Sequence, residues 1–403
     1  MNYYDVEINF FPVGQGLFSA GFIQRREKVF SWIYDCGTAS SQKFLNGGMN
    51  QINTKTSIIN LLILSHFHPD HISGIKKILK KFKVKILLLP FIPLYHRLLI
   101  AFNQKVSLKS KLMQFFLNPV KYISSIPGIS IEKIVFVPPS SGTIEVSNMD
   151  QIIAFDDFSD DVDWTNAINF EEQNINDEER IDLQIVGDMN IPILFMKIGS
   201  SIIVNKLFEF IPYNDQIAHK FSTNFFKSVN ALQDKIYNGS PKEKTKSFDL
   251  LKMVYIKEFG KNKQNDISLF IYAGPITDST SQSSMILIQS PDGHSIASLF
   301  DVNYTLYTGD GYLNNTLKIN ALINYLNASK IKQLGFMQIM HHGSKYNWCS
   351  GLAANFKPKI SIFSSDPSHK SYRHPHSEVL HDFSPYLPIL VNQKNSLQIK
   401  YAF

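Results

Sequence analysis

Short apolar segments separated by turn residues recur through the first ninety positions and predict a strand-rich start. Residues 7–11, 17–23 and 29–34 have the length and apolar content of strands, and residues 59–64 form an apolar run broken only by Asn60. Further on, apolar side chains at positions 75, 78, 79 and 82 follow helical spacing, and residues 84–89 predict another buried strand. Alternating strands and helices of this kind are typical of an α/β fold.

The same alternation returns after residue 265. Strands are predicted at residues 268–272, 285–289, 295–300, 305–308, 334–340, 360–363, 389–391 and 397–401, with helices at 317–326 and 377–383. In both halves of the chain the candidate catalytic and metal-binding residues lie mostly just past the end of a strand. This arrangement predicts a sandwich whose site lies at one sheet edge.

The middle of the chain, residues 91–262, is less regular. Its pattern predicts helices over 98–116 and 221–236, strands over 134–137 and within 191–211, and a charged loop at 242–246.

Two runs of charged residues in the chain can each be interpreted in two ways. The lysines at 76, 77, 80, 81 and 83 can bind phosphate or form a solvated helix face, and ten acidic residues between Asp156 and Glu179 can bind a metal or a basic partner or form a solvated loop. The solvated alternative is favoured in both cases.

Composition narrows the class of protein. The 403 residues are 44% hydrophobic and 13% aromatic, which allows a large core, and with 18% charged residues the chain is not of the disordered class. The net charge of +6 permits a polyanionic substrate without requiring one.

Cys36 and Cys349 lack the spacing of a zinc ribbon or a disulfide framework, which favours free thiols. No secretion signal or long apolar run is found, so we expect a soluble, cytoplasmic protein with no membrane partner.

The most specific chemical motif is His66-Phe67-His68-Pro69-Asp70-His71. Three imidazoles and a carboxylate this close together are suitable ligands for zinc, and also for manganese or iron. Because the motif follows a predicted buried strand and precedes a predicted helix, its side chains would converge at a turn instead of alternating across a sheet. A histidine-rich surface loop without metal is the alternative interpretation.

Four motifs resemble those of the metallo-β-lactamase-fold hydrolases: Asp35 at a strand end, the histidine–aspartate motif at 66–71, Thr308-Gly309-Asp310, and His341-His342-Gly343-Ser344. Within that superfamily the pattern is most similar to the hydrolase domain of ComEC-type DNA-uptake channels. The further matching segments are Val13-Gly14-Gln15-Gly16, Leu64-Ser65-His66, Asn265-x-x-Ser268-Leu269 and Arg373-His374-Pro375-His376.

The resemblance covers roughly residues 5–90 and 263–403. It implies an α/β fold of the αββα metallo-β-lactamase sandwich type, with its two halves at residues 1–90 and 263–403 and a long α/β insertion at 91–262. The transmembrane helices of the channel have no counterpart here, so its transport role does not carry over.

The resemblance also implies a set of metal ligands. His66 and His68 would bind one ion, Asp70 and His71 would bind a second, Asp310 would bridge the two, and His342 would complete the second site. Asp35 would orient the ligands from behind. The superfamily's additional histidine for the first ion has no matching counterpart among His96, His219 and His294, and Asn265, a poorer donor, sits near the expected position. The implied cofactor is one or two zinc ions, with manganese or iron as alternatives.

The implied activity is metal-dependent hydrolysis, most concretely that of a phosphodiesterase or nuclease. Asp70 would be part of the catalytic set, and His341, facing the substrate, or His374 would protonate the leaving group or bind phosphate. Lys345, Arg373 and His376 are the expected substrate contacts.

Two other functions are alternatives to a phosphodiesterase or nuclease. The protein can be a hydrolase of small esters, lactones or cyclic nucleotides, or a non-catalytic metal-binding subunit. Expected partners are nucleic acid or another phosphoester, and a protein through residues 91–262, which can also act as a substrate gate.

Overall fold

The computed structural model describes residues 4–104, 106–107, 110–140, 168–175, 183, 191–215, 222–259, 267–276, 283–290, 293–300 and 304–403. The strands are β1 (Asp5–Phe10), β2 (Phe18–Arg25), β3 (Lys28–Cys36), β4 (Ile58–Ile63), β5 (Lys83–Pro90), β6 (Ser130–Val137), β7 (Ile168–Asn169), β8 (Glu172–Gln173), β9 (Ile193–Met196), β10 (Ile202–Val204), β11 (Phe208–Asn214), β12 (Leu269–Pro275), β13 (Ser283–Ser290), β14 (Gly293–Phe300), β15 (Tyr304–Tyr307), β16 (Leu334–Gln338), β17 (Ile360–Ser364), β18 (Pro388–Val391) and β19 (Ser396–Ala402).

Helices lie between many of these strands. The α-helices are Phe44–Lys55, Pro69–Ile72, Ile75–Lys81, Leu94–Asn103, Lys111–Leu117, Pro119–Ser124, Thr223–Asn238, Pro241–Phe259, Thr316–Leu326, Ala328–Lys332, Leu352–Phe356 and Ser377–Phe383. Met340–Gly343 and Ser384–Tyr386 form short 3₁₀ turns.

The first sheet has eleven strands in the order β14–β13–β19–β1–β2–β3–β4–β5–β6–β9–β8. Strands β3, β4, β5, β6 and β9 run parallel to one another. Strand β1 is antiparallel to both of its neighbours, β2 and β19, so the first and last strands of the chain lie side by side. The carboxyl ends of β3 and β4 therefore meet at one edge of this sheet, just where Asp35 and the histidine–aspartate motif occur.

The second sheet has eight strands in the order β18–β17–β16–β15–β12–β11–β10–β7. Strands β15, β16, β17 and β18 are parallel, whereas β12 pairs antiparallel with β11 and β15. The carboxyl ends of the four parallel strands thus share an edge. Residues 308–310 follow β15 and residues 340–343 follow β16 at this edge.

Alternation along the strands explains how the sheets pack. In β3, Trp32 and Tyr34 point between the sheets and join a core with Phe210 and Tyr307 of the second sheet, whereas Ile33 joins a second core formed with the outer helices. A third core lies between the second sheet and helices Thr316–Leu326, Leu352–Phe356 and Ser377–Phe383. These layers confirm the predicted α/β fold with αββα sandwich architecture.

The middle segment continues both sheets. Strand β6 pairs with β5, and β9 pairs with β6, which extends the first sheet. Strand β11 pairs with β12 and carries β10 and β7 at the end of the second. Its helices contribute buried side chains such as Leu98, Phe115 and Leu251 to the core on the outer side of the first sheet. The three-part division of the chain at residues 90 and 262 stays a prediction.

Local capping accounts for two differences from the sequence expectations. The predicted charged loop at 242–246 is wrong, because these residues lie within helix Pro241–Phe259. Ser240 and Glu243 form a capping box in which Glu243 Oε2 accepts from the Ser240 backbone N–H at 2.8 Å, ahead of a proline at the first helical position. The predicted helix over 98–116 is two helices, since Ser110 caps a new one by accepting from the Met113 N–H at 3.1 Å.

Other expectations concern the surface. The lysines at 76, 77, 80, 81 and 83 are exposed, as expected for a solvated face, and Lys81 Nζ lies 2.6 Å from Asn50 Oδ1 of the neighbouring helix. Much of the acidic block between Asp156 and Glu179 lies outside the described residues. Cys36 and Cys349 are both free thiols. Among the described helices, none combines the length and the apolar character needed to cross a membrane.

Candidate metal centre

The site lies where the carboxyl-end edges of the two sheets face each other. The loop after β4 carries His66, His68, Asp70 and His71, and the loops after β15 and β16 carry Asp310 and the pair His341–His342. Ligand sites of α/β proteins usually lie at this end of parallel strands, because loops from several strands converge there. The structure therefore brings together all seven of these side chains.

The loop after β4 turns sharply into a short helix. Pro69 occupies its first position, and the backbone N–H groups of His71 and Ile72 both donate to the His68 carbonyl at 3.0 Å. This turn places Asp70 and His71 next to each other, both buried, and leaves His68 at the partly exposed rim. Proline suits this position because its missing N–H would have no partner in the first turn.

Two glycines allow this turn to pack against the first sheet. A Cβ atom on Gly16 would lie 2.8 Å from the Asp70 carbonyl oxygen, and one on Gly37 would lie 2.3 Å from the His71 backbone nitrogen. The Leu17 N–H donates to the Asp70 carbonyl at 3.1 Å. The Val13-Gly14-Gln15-Gly16 segment thus supports the metal-binding turn through close backbone packing.

The opposite loops are held by polar side chains of the second sheet. The Gln338 side-chain oxygen accepts from the backbone N–H groups of Thr308 at 2.9 Å and Gly309 at 2.8 Å, which fixes the turn that presents Asp310. His341 and His342 have left-handed backbones with φ of 44° and 59°. This conformation is uncommon for side chains other than Asn, Asp and His, and it is often found at functional sites.

Asp310 divides the surrounding donors into two groups. Its Oδ1 lies 2.9 Å from His71 Nε2 and 3.7 Å from His342 Nε2. On this side Asp70 Oδ2 lies 3.2 Å from His342 Nε2. Asp70, His71 and His342 thereby offer one ligand atom each within 4.8 Å of one another.

The other carboxylate oxygen of Asp310, Oδ2, faces the group that contains His66 and His68. This oxygen lies 3.3 Å from His66 Nε2, 3.6 Å from His68 Nδ1 and 3.6 Å from His341 Nε2. His66, His68 and Asp310 form the group whose ligand atoms all lie within 4.8 Å of one another. Asp310 is thus placed to share its two oxygens between two donor groups.

The hydrogen bonding of these atoms fits bound cations. Both carboxylate oxygens of Asp310 and the Nε2 atoms of His66 and His71 are buried, yet none of them has a hydrogen-bond partner within the described part of the chain. Buried polar atoms without a hydrogen bond are rare. Imidazole nitrogens and carboxylate oxygens that converge in this way are a donor set that suits zinc, manganese or iron. The residues present therefore fit one or two divalent metal ions.

The far nitrogens of the buried imidazoles are held by acceptors. Asp35 Oδ2 lies 2.7 Å from His71 Nδ1 and accepts from Ser65 Oγ at 2.6 Å, and Ser65 Oγ lies 2.8 Å from His66 Nδ1. The Ser364 carbonyl lies 2.6 Å from His342 Nδ1. Such contacts place the proton on Nδ1 and leave the Nε2 lone pair free for a metal. Asp35 therefore lies behind the histidine–aspartate motif, in contact with its ligands.

Burial and nearby charges set the protonation of the site. Burial opposes ionisation of Asp310, but His341, His71 and His66 outweigh it and hold the pKa of this carboxyl well below its usual range. Burial and the charge of His71 lower the pKa of His66 to about 3. Burial also disfavours charge on His71, but Asp310 and Asp35 raise its pKa well above the usual value. Asp310 and His66 are thus in the deprotonated forms that bind metal at neutral pH.

The remaining predicted residues lie around the rim. The His374 ring is buried, with centroids 5.5 Å from His341 and 6.3 Å from His342. His376 Nδ1 lies 3.4 Å from the Lys345 backbone nitrogen, and Lys345 Nζ lies 3.5 Å from Glu378. Arg373 is exposed on the same loop as His374. The roles of these residues, and of the ligands above, stay predictions.

The sequence offers four positions in connection with the missing histidine of the first ion, and one of them, His294, lies in strand β14. Asn265 and His219 lie outside the described residues. His96 lies in helix Leu94–Asn103 against Tyr95, and neither donor group of the described residues includes it.

Sequence reasoning missed several supporting residues. Asn347 Oδ1 lies 2.7 Å from His341 Nδ1, and Gln338 and Ser65 hold the turns on either side. Ser65 and Asn347 lie one and six positions from a motif histidine, so proximity to the motifs is the only signal in the sequence.

Comparison with known proteins agrees with this geometry. No curated protein matches the chain significantly. The family model that matches is the metallo-beta-lactamase superfamily, over residues 17–149, a span that includes Asp35 and the whole histidine–aspartate motif. Residues 17–149 thus carry a metallo-beta-lactamase superfamily domain, which suggests a metal-dependent hydrolase.

Proposed function

We propose that this protein is a metal-dependent phosphodiesterase whose substrates are nucleic acids. The observation that carries the proposal is the shared position of Asp310, with one carboxylate oxygen toward His71 and the other toward His66. A pair of divalent ions held by these residues would supply Lewis acidity toward a phosphoryl oxygen and would lower the pKa of a water molecule to about 7. This chemistry suits in-line displacement at phosphorus.

The protein's own residues bind and orient the substrate in this proposal. His374 lies beside both His341 and His342, and its Nδ1 is buried with no hydrogen-bond partner among the described residues. Burial and the two neighbouring imidazoles lower the pKa of His374 to about 3. The neutral ring offers one N–H group to a phosphoryl oxygen and carries no charge of its own. His374 therefore serves as a hydrogen-bond donor that positions the phosphate.

Nucleic acid as the substrate class rests on the rim of the site. Lys370 and Arg373 are exposed on the loop before His374, and Lys345 on the loop after His342, although Glu378 partly offsets the charge of Lys345. Tyr346 and Tyr372 on the same loops are 62% and 44% exposed, so each offers a ring face to solvent. Cations that contact phosphates and aromatic rings that stack on bases are the usual features of single-strand binding. The ComEC-type motifs in the sequence support the same substrate.

The test compares wild-type protein with Asp70→Ala on single-stranded DNA, double-stranded DNA, RNA and a chromogenic phosphodiester, with added Mn²⁺ or Zn²⁺. We expect hydrolysis by the wild type and a fall in kcat/KM of at least about 100-fold in Asp70→Ala, because one ligand of the His71–His342 group is lost. His381→Ala removes an exposed histidine of helix Ser377–Phe383 and serves as the matched control.

Two results would contradict this function. Equal activity of wild type and Asp70→Ala would show that the donor groups do not catalyse the reaction. Turnover of chromogenic carboxylic esters or lactones, with none of any phosphodiester, would move the assignment to small-molecule hydrolysis at the same site.

A further inference from the structure

The two donor groups around Asp310 differ in the number of residues that they contain. The group on the Oδ1 side has four members: Asp70, His71, His342 and Asp310 itself. Among the described residues, the group on the Oδ2 side contains His66 and His68 besides Asp310. Since zinc in proteins usually takes four ligands or three and a water, the His66–His68 group has room for one more protein donor.

His341 lies on the side that has room. Its Nε2 is 3.6 Å from Asp310 Oδ2, the same separation as that of His68 Nδ1 from this oxygen. The side chain of His341 is 26% exposed and that of His68 is 24% exposed, so both border the same open edge of the site. The Nε2 of His341 thus faces the same Asp310 oxygen as His66 and His68 do.

The far nitrogen of His341 is held like those of the buried ligands. Asn347 Oδ1 lies 2.7 Å from His341 Nδ1. The orientation of the Asn347 amide is fixed, because its Nδ2 donates to the carbonyls of Asp310 at 2.8 Å and Gly311 at 3.3 Å. An oxygen acceptor at Nδ1 places the ring proton there and directs the Nε2 lone pair toward Asp310. His66, His71 and His342 have the same arrangement, with Ser65, Asp35 and Ser364 as their partners.

His374 provides the contrast within the same site. Its ring lies near His341, but its Nδ1 has no hydrogen-bond partner among the described residues. The tautomer of His374 is thus not fixed by an acceptor, as expected for a ring that binds substrate. The two neighbouring histidines therefore differ in the feature that metal ligands require.

We propose that His341 is a further ligand of the His66–His68–Asp310 group and that Asn347 positions it. The assignment rests on the metal-dependent function proposed above and specifies its first ion site. The adjacent residues His341 and His342 then bind different ions. His341 binds the ion of the His66–His68 group, and His342 binds the ion of the group that contains Asp70 and His71. The left-handed backbone at both residues turns the two side chains apart.

The first experiment measures zinc binding without any substrate. Full-length wild type, His341→Ala, His374→Ala and His381→Ala are stripped of metal and titrated with zinc against a chromophoric chelator. We expect two ions in the wild type and in both control variants. In His341→Ala, one ion should bind at least about 100-fold more weakly while the other changes little, since loss of a ligand exceeds the effect of losing a supporting contact.

A second variant keeps the inference testable should His341→Ala fold poorly. His341→Cys supplies a thiolate at the same position, and a thiolate bound to cobalt(II) gives charge-transfer absorption in the near ultraviolet. We expect this band in cobalt-loaded His341→Cys and its absence from wild type and from His374→Cys, which all retain Cys36 and Cys349. The band reports ligation directly, whatever the catalytic activity.

Each outcome separates the assignment of His341 from the proposed function. Wild-type zinc affinity in His341→Ala together with no band in His341→Cys would overturn the assignment, even in an active enzyme. A band in His374→Cys alone would also overturn it. Weakened binding of one ion in His341→Ala would support it, even if no phosphodiester were cleaved and the proposed function failed.

Discussion

Asp35 bears most of the hydrogen bonding behind the metal-binding turn. It is fully buried, and its Oδ1 accepts from the Ser65 backbone N–H at 2.7 Å while Oδ2 accepts from Ser65 Oγ at 2.6 Å and lies 2.7 Å from His71 Nδ1. Its backbone has a φ of 55°, a left-handed conformation that Asp and Asn adopt more easily than other side chains. One carboxylate therefore orients His71 directly and His66 through Ser65.

Replacing Asp35 by Asn tests this arrangement with little change in shape. An amide has one acceptor oxygen, so it cannot serve both the Ser65 N–H and the His71 Nδ1–H. We expect zinc affinity in Asp35→Asn to fall by about 10–100-fold, measured by chelator competition. Asp382→Asn is the control, because Asp382 accepts from Trp348 Nε1 at 2.8 Å in a network away from the donor groups. Equal losses in the two variants would contradict a specific role for Asp35.

The side chains that converge at the site, and Asp35 behind them, could be predicted from the sequence, but the other groups that orient the ligands could not. The histidine–aspartate motif, Asp310 and His342 stand in recognisable spacings. Asn347 is a single amide in a loop, and the acceptor for His342 is the backbone carbonyl of Ser364, which any residue type would supply. No spacing or residue type marks such contacts, because they depend on how two loops meet in three dimensions.

Among the secondary-structure elements, the turns after β3 and β4 leave no room for side chains where they touch. A Cβ atom at Gly37 would lie 2.3 Å from backbone atoms of Asp70 and His71, whereas one at Gly47, exposed in helix Phe44–Lys55, would meet nothing within 4 Å. Backbone atoms of a packed turn cannot move aside as a flexible side chain can. The two glycines therefore differ in what an added methyl group would do.

We expect Gly37→Ala to lower the free energy of unfolding by more than about 1 kcal/mol, through overpacking against the metal-binding turn. Gly47→Ala should raise it by about 0.5–1 kcal/mol, because alanine loses less backbone entropy in a helix. Urea denaturation of both variants measures the two effects. A stability loss in Gly47→Ala as large as that in Gly37→Ala would show that the close approach at Gly37 is not the cause.

Elements with a clear period were predictable, and those defined by caps were not. The helical spacing at 75–82 and the apolar run at 59–64 correspond to helix Ile75–Lys81 and strand β4. The start of helix Pro241–Phe259 was missed, because its lysine-rich first turn suggested a loop although Ser240 and Glu243 stand at capping-box spacing. Charge alone thus predicted the wrong element where the capping residues favoured a helix.

At the scale of the whole molecule, the donor groups join the two sheets. His66 to His71 belong to the first sheet, and Asp310, His341 and His342 belong to the second. Each donor group contains residues from both sheets, so a cation bound in either group would connect the halves of the sandwich, and its binding energy would add to the stability of their packing.

Removal of metal should for this reason lower the thermal stability of the whole protein. At free zinc of about 1,000 times its Kd, binding contributes about 4.1 kcal/mol. We expect the midpoint of thermal unfolding of chelator-treated wild type to rise when zinc is restored, with a much smaller rise in Asp310→Ala, which loses the carboxylate facing both groups. Calorimetry of both proteins, with His381→Ala as control, measures this. A zinc effect as large in Asp310→Ala as in wild type would contradict the bridging position.

Strand order was the least predictable level. Strand β1 lies between β2 and β19, with Asp5 opposite Ala402, and Tyr4 stacks on Phe403 with ring centroids 5.6 Å apart. Hydrophobic periodicity shows that β19 is a strand but not which strand it joins. Pairings over nearly the whole length of the chain depend on the packed core, which no local pattern reports.

The separation of Asp70 from Asp310 and His342 along the sequence has a consequence for biosynthesis. A nascent polypeptide still attached to the ribosome displays the early histidines long before the later ligands have been translated. The nascent chain cannot form the complete set of metal ligands until residue 342 has left the ribosomal exit tunnel. The nucleic-acid hydrolysis proposed above would therefore begin only late in translation, and incomplete chains close to messenger RNA would stay inert.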